Sequence, residues 1–239
     1  MKALILNSGL GKRMGELTAS RPKCMVEIVP GVSTVDLQIE KLLKCGISDI
    51  IMTTGPFSEL LEGHLTERFP QARFTFVNNP IYDKTNYIYS IYLAREVLKD
   101  QELVSMHGDL AFETDVLETV LHSQTSVMTV DSTLPLPEKD FKAVYEGERV
   151  VKVGIEFFDS AVAAQPLYHL TKEDWNTWLE NIIAFCEAGT TSVYAENAFN
   201  EISAQLNVKM LDLKGKFCAE VDNLEDLERF RSHYELLKK

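Results

Sequence analysis

The start of the chain places a glycine-rich turn directly after a short apolar run, and this order restricts both the fold and the ligand. The run Ala3 to Leu6 predicts a buried β-strand, and Gly9-Leu10-Gly11 follows it. Glycines let backbone N–H groups approach an anion without an intervening Cβ. Cations for phosphate oxygens come next, namely Lys12, Arg13 and, behind Pro22, Lys23. Strand, glycine loop and cations together predict a polyphosphate site.

Two common glycine loops do not match this turn. The spacing GxxxxGK[ST] is absent, and GxGxxG has Met14 at its third glycine, with Gly15 one residue late. This mismatch disfavours an NAD-dependent dehydrogenase. A GxG pair alone also suits a simple tight turn, so the phosphate interpretation depends on Arg13 and Lys23.

Charge and cysteine content narrow the class of protein. A net charge of −12 over 239 residues argues against a nucleic-acid binder, because there is no basic excess. Four widely spaced cysteines form neither CxxC nor a His/Cys cluster, so we expect free thiols in a reducing cytoplasm. No apolar stretch is long enough to span a membrane. The length predicts one domain, 1–239, with a nucleotide-binding half, 1–131, and an acceptor-binding half, 132–239. A homo-oligomer stays open.

Alternating apolar runs and helical patterns predict an α/β fold with a doubly wound, mostly parallel central sheet. In the first half, strands are expected at 2–7, 49–55, 73–79, 102–109 and 126–130, and helices at 35–46, 57–69, 86–98 and 115–122. In the second half, Glu146-Gly147-Glu148 predicts a β-hairpin, and Thr171 and Asn223 predict helix caps. Further strands are expected at 166–170 and 207–213, and a helix at 196–205. Ligands are expected at the carboxyl ends of the parallel strands.

The stretch from Leu6 to Lys23 resembles the signature of nucleotidyltransferases that join a nucleoside triphosphate to a phosphorylated small molecule. Their pattern is roughly L-A-A-G-x-G-x-R, followed by P-K; this chain has Asn7-Ser8 in place of the two alanines. The middle segment from Asn78 to Ala94 is closest to the bacterial CTP:phosphocholine cytidylyltransferases. The resemblance covers nearly the whole chain. It implies a Rossmann-like fold of the glycosyltransferase-A type, Mg²⁺ as cofactor and a role in bacterial cell-surface biosynthesis.

The resemblance also implies which residues contact the nucleotide. Asn86, Tyr89 and Ser90 match an Asn-x-x-Tyr-Ser run that opens a helix, where free N–H groups and short polar side chains suit a pyrimidine or a ribose. The same residues also suit a simple helix cap with Tyr87, Ile88 and Ile91 in the core. The expected nucleotide-binding set is Leu6, Asn7, Ser8, Gly9, Gly11, Lys12, Arg13, Lys23, Asn86, Tyr89, Ser90, His107 and Gly108.

Three carboxylates in two distant segments are candidate ligands of Mg²⁺. Asp109 follows a predicted strand, and Glu220 and Asp222 alternate along the segment EVD. Mg²⁺ prefers a few protein oxygens together with phosphate and water. Asp109 also suits a turn, and Asp222 the start of the last helix. Both segments nevertheless match places where the resembled family holds its metal, so we expect Asp109 and Asp222 as ligands, with Glu220 as a third.

The resemblance puts the acceptor pocket in the second half. Lys142 matches by position a lysine that holds the attacking phosphate. Glu196 stands where the family has an acid beside a quaternary ammonium, but Ala195 replaces a second aromatic residue. Aromatic faces can bind a cation, although aromatics at such spacing also fit a core. The expected acceptor set is Phe141, Lys142, Tyr168, Tyr194, Glu196 and Asn197, and the expected catalytic set is Arg13, Lys23 and Lys142.

The reaction that these residues imply is in-line attack of a phosphate or phosphonate oxygen on the α-phosphorus of CTP, with release of pyrophosphate. Positioning and charge neutralisation would supply most of the catalysis. Two alternatives stay open: a sugar-1-phosphate nucleotidyltransferase that makes an NDP-sugar, and a nucleotide-binding module without turnover. The acceptor also stays open among phosphocholine, phosphoethanolamine, aminoethylphosphonate, a phosphorylated amino acid or polyol, and a sugar phosphate.

Overall fold

A computed structural model describes residues 1–238, apart from the side chain of Leu236. In this part of the chain, the strands are β1 (Lys2–Asn7), β2 (Glu27–Val29), β3 (Val32–Ser33), β4 (Asp49–Thr54), β5 (Arg73–Asn78), β6 (Leu103–His107), β7 (Leu110–Phe112), β8 (Val127–Asp131), β9 (Lys142–Glu146), β10 (Arg149–Gly154), β11 (Ala161–Leu170), β12 (Lys209–Asp212) and β13 (Cys218–Glu220). The α-helices are α1 (Thr34–Lys44), α2 (Ser58–Arg68), α3 (Tyr87–Leu93), α4 (Arg95–Leu98), α5 (Thr114–Leu121), α6 (Lys172–Glu187), α7 (Ala195–Ile202), α8 (Leu224–Ser232) and α9 (Tyr234–Leu237). Short 3-10 turns cover Lys12–Thr18, Lys23–Met25 and Ser203–Gln205.

One nine-stranded sheet runs through both halves of the chain, in the order β5-β4-β1-β6-β11-β8-β12-β10-β9. The four strands β5, β4, β1 and β6 are parallel to one another, as the βαβ pattern predicts. Strand β11 then pairs antiparallel with both β6 and β8, and the predicted hairpin of β9 and β10 closes the far edge. The α/β fold is therefore confirmed. The sheet is mixed, because its parallel half is joined to a largely antiparallel half.

Helices pack on both faces of the sheet, so the sheet is doubly wound. On one face, α1, α2 and α5 bury residues such as Ile39, Leu65 and Val116 against the odd residues of β1. On the other face, α3, α6 and α7 form a second cluster that includes Trp175 and Trp178. Burial of apolar side chains on two faces explains why the parallel strands read as continuous apolar runs.

Local signals fix where the helices begin and end. Ser33 and Asp36 form a capping box at the start of α1, and Gly46 adopts a left-handed conformation after its end, with φ 82°. Thr171 and Asn223 cap α6 and α8 through their side chains, as predicted. The helix predicted at 86–98 is interrupted at Ala94, which divides it into α3 and α4.

A small second sheet joins the middle of the chain to its C-terminal part. Strand β7 follows β6 after a two-residue turn and pairs antiparallel with β13, so that Leu110 lies opposite Glu220. The backbone N–H of Val221 donates a hydrogen bond of 2.9 Å to the carbonyl oxygen of Asp109. This pairing carries the acidic segment near the C-terminus to the carboxyl ends of β1 and β6. Within residues 1–238, no helix combines the length and the apolar character that crossing a membrane requires.

Candidate active site

The glycine loop leaves β1 beside the end of β6 and packs closely on Lys23. Leu6 lies opposite His107 in the parallel pairing, so the loop and the turn carrying Asp109 start from neighbouring strand ends. Gly11 has φ 61°, and a Cβ there would lie 2.9 Å from the Cβ of Lys23. A side chain at Gly11 would therefore be strained and would also displace the lysine.

A cavity of about 170 Å³ opens above this loop. It is polar on one side, where the loop and Lys23 line it, and aromatic on the other, where Tyr82 and Tyr87 line it. Its lining includes nine residues that the sequence placed in the nucleotide or metal set: Leu6, Asn7, Ser8, Gly9, Gly11, Lys23, Asn86, His107 and Asp109. The glycine backbone and the partly buried Lys23 suit the phosphate groups of a nucleotide.

A network of hydrogen-bonded polar side chains runs from the cavity wall into the core. The hydroxyl groups of Ser8 and Ser90 are 2.6 Å apart, and the amide of Asn79 donates to Ser90 and to Thr85. Ser90 is fully buried and does not line the cavity. It therefore supports the loop at Ser8 from behind, and the hydroxyl has no position from which to contact a ligand directly in this arrangement.

Lys23 joins the two carboxylates that the sequence singled out as metal ligands. Its Nζ lies 2.7 Å from Oδ1 of Asp222 and also contacts Oδ2 of Asp109. Burial lowers the pKa of Lys23, but the charges of Asp109 and Asp222 outweigh this effect and raise it overall. Burial likewise raises the pKa of Asp109, and Lys23 reverses this and lowers it. Arg13 adds a second ion pair, with Nη2 2.8 Å from Oδ2 of Asp222.

His107 and Glu220 form a second charged pair beside Asp109. The Nδ1 atom of His107 lies 2.8 Å from Oε1 of Glu220. Burial lowers the pKa of His107, but the hydrogen bond to Glu220 and its charge raise it to about 9. Burial and the charge of Asp109 raise the pKa of Glu220 to about 7. His107 therefore favours the charged form of Glu220, and Asp109 disfavours it.

The carboxylates fit a divalent cation by their chemistry and by one unpaired atom. Oδ1 of Asp109 is buried and has no hydrogen-bond partner among the described residues. Ligand atoms of His107, Asp109 and Glu220 lie within 4.8 Å of one another, and so do those of Asp140, Glu220 and Asp222. Hard oxygen ligands beside a phosphate cavity suit Mg²⁺. A bound cation would provide the partner that this buried carboxylate oxygen lacks.

A second cavity, of about 180 Å³, lies on the other side of the same residues. It shares Lys23, Tyr87, His107 and Asp109 with the first cavity. Aromatic rings form one of its walls: the ring centroids of Phe141 and Tyr194 are 5.1 Å apart, and those of Tyr87 and Tyr194 5.8 Å. A larger opening of about 400 Å³ continues from it past Arg13 and Asp140. Two cavities that meet at one lysine and one carboxylate could hold two substrates end to end.

Glu196 lies behind the aromatic wall rather than in the cavity. It is 3% exposed, and Oε1 accepts a hydrogen bond of 2.9 Å from the hydroxyl of Tyr168. The hydroxyl of Tyr87 donates to its other oxygen. Burial, together with the charge of Glu196, raises the pKa of both tyrosines well above its usual value. Glu196 therefore orients Tyr87, whose ring faces both cavities, and has both of its oxygens already paired.

Several expected residues do not reach either cavity. Nζ of Lys142 donates to the carbonyl oxygens of Pro137 and Asp140 and lies over the ring of Phe158, 4.2 Å from its centroid. The side chain is fully buried, because it is turned back onto its own loop. The expected residues that line none of the three cavities are Lys12, Tyr89, Ser90, Gly108, Lys142, Tyr168, Glu196 and Asn197.

Four of the cavity-lining residues that the sequence reasoning missed or assigned elsewhere bear directly on the site. Asp140 joins the carboxylate group, and its place directly before Phe141 was the available signal. Tyr87 was considered only as a core residue of the helix-cap alternative, but it lines both cavities. Asn79 and Thr85 line the nucleotide side. They follow β5, whose carboxyl end is a predicted ligand-binding position, so topology could have identified them.

The known proteins that this chain is similar to are consistently nucleotidyltransferases. Residues 3–146, more than half of the chain, match the family described as MobA-like NTP transferase domain. The CTP:phosphoglutamine cytidylyltransferase of Campylobacter jejuni is 27% identical over 95% of this chain and 98% of that protein. The choline-phosphate cytidylyltransferase of Streptococcus pneumoniae is 26% identical over 100% of this chain and 99% of that protein.

The fold is also that of a solved enzyme. The structure of the CTP:phosphocholine cytidylyltransferase from Streptococcus pneumoniae superposes with a TM-score of 0.78, at 24% identity, covering 98% of each chain. At this level of identity the match supports the architecture alone, and it agrees with the mixed sheet described above. Because the match covers more than half of the chain and includes the glycine loop and Lys23, this chain belongs to the family of MobA-like NTP transferase domains.

Proposed function

We propose that this protein is a cytidylyltransferase that transfers CMP from CTP to a small phosphorylated or phosphonate head group and releases pyrophosphate. The observation that carries the proposal is the pair of cavities that meet at Lys23 and Asp109. A transferase of this kind needs the α-phosphate of one substrate within reach of an oxygen of the other, and the shared wall provides such a meeting point.

On the nucleotide side, we assign the triphosphate to the glycine loop and Lys23. Gly9 and Gly11 present backbone N–H groups, and Lys23 and Arg13 bring positive charge to the α-phosphate and to the leaving pyrophosphate. The base and ribose would contact Asn86 and neighbouring atoms at the start of α3. Preference for cytosine is supported by the sequence similarity to CTP-dependent enzymes across the whole chain.

On the acceptor side, we assign the head group to the cavity lined by Phe141, Tyr194 and Tyr87. Their rings suit an ammonium group, and Glu196 behind them adds negative charge without occupying the cavity. Lys23 and His107 line both cavities, so both can bring positive charge to an attacking oxyanion at the junction. The role first expected of Lys142 is therefore better suited to these two residues.

We further propose that Asp109, Asp222 and Glu220 hold Mg²⁺. When bound, Mg²⁺ supplies positive charge to the phosphate oxygens and favours departure of pyrophosphate. The free thiols of all four cysteines are consistent with a cytoplasmic enzyme. A CMP-activated head group would serve cell-surface biosynthesis, as the sequence resemblance implies.

The test is pyrophosphate release with Mg²⁺, crossing the four nucleoside triphosphates with phosphorylated amino alcohols, phosphonates, amino acids, polyols and sugars. Turnover with CTP and one zwitterionic acceptor is expected. The matched control is Lys23→Ala, which removes the proposed α-phosphate contact and should abolish release with the same pair of substrates. Turnover with UTP or dTTP and a sugar phosphate would instead assign an NDP-sugar synthase. CTP binding without release for any acceptor would indicate a binding module.

A further inference from the structure

Lys23 occupies the position between the two carboxylates that the proposed function assigns to Mg²⁺. Its ammonium contacts Oδ2 of Asp109 and lies 2.7 Å from Oδ1 of Asp222. The side chain is 17% exposed, and those of the two acids are 14% and 11% exposed, so water screens the three groups only weakly. In the nucleotide-free protein, the lysine therefore neutralises the charges that would otherwise attract a metal ion.

The ammonium of Lys23 and a metal ion cannot both occupy the space between the two carboxylates. A cation held by Asp109 and Asp222 would compete with Lys23 for these carboxylates, even if it bound the unpaired Oδ1 of Asp109, because its charge would lie close to that of the ammonium. Lys23 also lines the nucleotide-side cavity, directly beside Gly9 and Gly11. A triphosphate in that cavity offers the ammonium new anionic oxygens, so the lysine can leave the carboxylates without losing its ion pairs.

We propose that Lys23 acts as a positioning residue for the metal: it holds Asp109 and Asp222 in the free enzyme, weakens binding of a bare divalent cation, and transfers to the triphosphate when nucleotide and metal enter together. This proposal rests on the assignment of Asp109 and Asp222 as metal ligands. It adds that the carboxylates exchange a lysine for a metal ion, and that the nucleotide drives the exchange.

The direct test measures Mn²⁺ binding to the nucleotide-free protein by electron paramagnetic resonance, comparing wild type with Lys23→Met. Removing a positive charge in contact with both ligands is expected to tighten Mn²⁺ binding roughly tenfold or more. Lys12→Met is the matched control, because it removes the same charge from an exposed position in the same loop. It should leave the affinity within about twofold. Asp222→Asn identifies which part of the signal belongs to this site.

A second measurement uses the wild-type protein and does not depend on the variant folding. Acylation of Lys23 by acetic anhydride, quantified by peptide mass spectrometry, should be slow in the free protein and faster at saturating Mn²⁺, because the metal releases the amine from its carboxylates. Acylation of Lys12 should not change. Unaltered labelling of Lys23, or equal Mn²⁺ affinity in wild type and Lys23→Met, would overturn the exchange.

These outcomes separate the exchange from the proposed function. If the protein is an active cytidylyltransferase but its Mn²⁺ affinity is the same with and without Lys23, the proposed function stands and the exchange is rejected. If the protein is inactive with every triphosphate but the Lys23→Met variant binds Mn²⁺ more tightly than wild type, the proposed function is rejected. The competition between lysine and metal then still stands.

Discussion

A buried lysine that lines none of the three site cavities offers a quantitative test of the structure. Lys41 lies on α1 and is 5% exposed, and its Nζ donates to the carbonyl oxygen of Phe112 and lies 5.2 Å from the centroid of that ring. Burial lowers the pKa of Lys41 from 10.5 to about 8, because the nearby acids offset only part of the lost hydration. The unfolded chain would keep the ordinary value.

The direction of the pH dependence follows from proton counting. Below pH 8, Lys41 is charged in both states, and the folded protein bears the full penalty of burying that charge. Between pH 8 and pH 10.5, the folded protein has released a proton that the unfolded chain still holds, so stability rises with pH. The difference in pKa corresponds to about 3 kcal/mol of unfolding free energy, at about 1.4 kcal/mol for each pKa unit.

We therefore expect Lys41→Met to gain stability relative to wild type at pH 7 and to lose that gain by pH 10.5. Loss of the donor to Phe112 costs about 1–3 kcal/mol at every pH, so the variant is expected to be at most about 2 kcal/mol more stable at pH 7. The decisive quantity is the change in the difference between the two proteins, about 3 kcal/mol between pH 7 and pH 10.5.

The assay is urea denaturation of wild type and Lys41→Met at both pH values. Lys99→Met serves as the control, because Lys99 is exposed and its replacement should shift stability equally at each pH. A difference between wild type and Lys41→Met that does not vary with pH would refute the reasoning, since it would mean that Lys41 keeps an ordinary pKa in the folded protein.

Three further predictions concern the site. Lys23→Ala should lower kcat far more than it raises KM for CTP, because its charge acts mainly on the transition state; unchanged kcat with raised KM in steady-state kinetics would contradict this. Tyr168→Phe removes one of two hydrogen bonds to the buried Glu196 and should cost about 1.5–3 kcal/mol in urea denaturation, and no loss would argue against that bond. Gly108→Ala should destabilise the protein strongly, because the new Cβ would lie 1.6 Å from Oδ1 of Asn7. The double variant Asn7→Ala/Gly108→Ala should restore the melting temperature, and failure to do so would show that the overlap lies elsewhere.

The elements of the first half could be predicted because each has a local cause. Ser33 and Asp36 cap α1 within four residues of sequence, and the apolar run of β1 needs only burial on two faces. The meeting of Asp109 with Glu220 and Asp222 could be predicted only by resemblance, since no local pattern relates residues that lie more than a hundred positions apart. The β7–β13 pairing that joins them is three residues long, too short to give a periodic signal.

The acceptor side was less predictable because it depends on which way single side chains turn. Lys142 begins β9 and could face either side of the sheet; it turns onto the carbonyl oxygens of its own loop, which are close and otherwise costly to bury. Burial of Glu196 requires hydrogen-bond donors for both of its carboxylate oxygens, and Tyr87 and Tyr168 provide them from different elements. Sequence spacing carries no record of such long-range pairings.

The position of Tyr87 links the choice of acceptor to the nucleotide side. Its ring lines both cavities, its hydroxyl is fixed by Glu196, and it directly follows Asn86, which caps α3. An acceptor that moves the ring must therefore also disturb the start of the helix on which the nucleotide side depends. For this reason, changes on the acceptor side at Glu196 or Tyr168 should alter KM for the nucleotide as well as for the acceptor. Changes at Ile155, which is exposed and lines the second cavity but not the first, should alter KM for the acceptor alone.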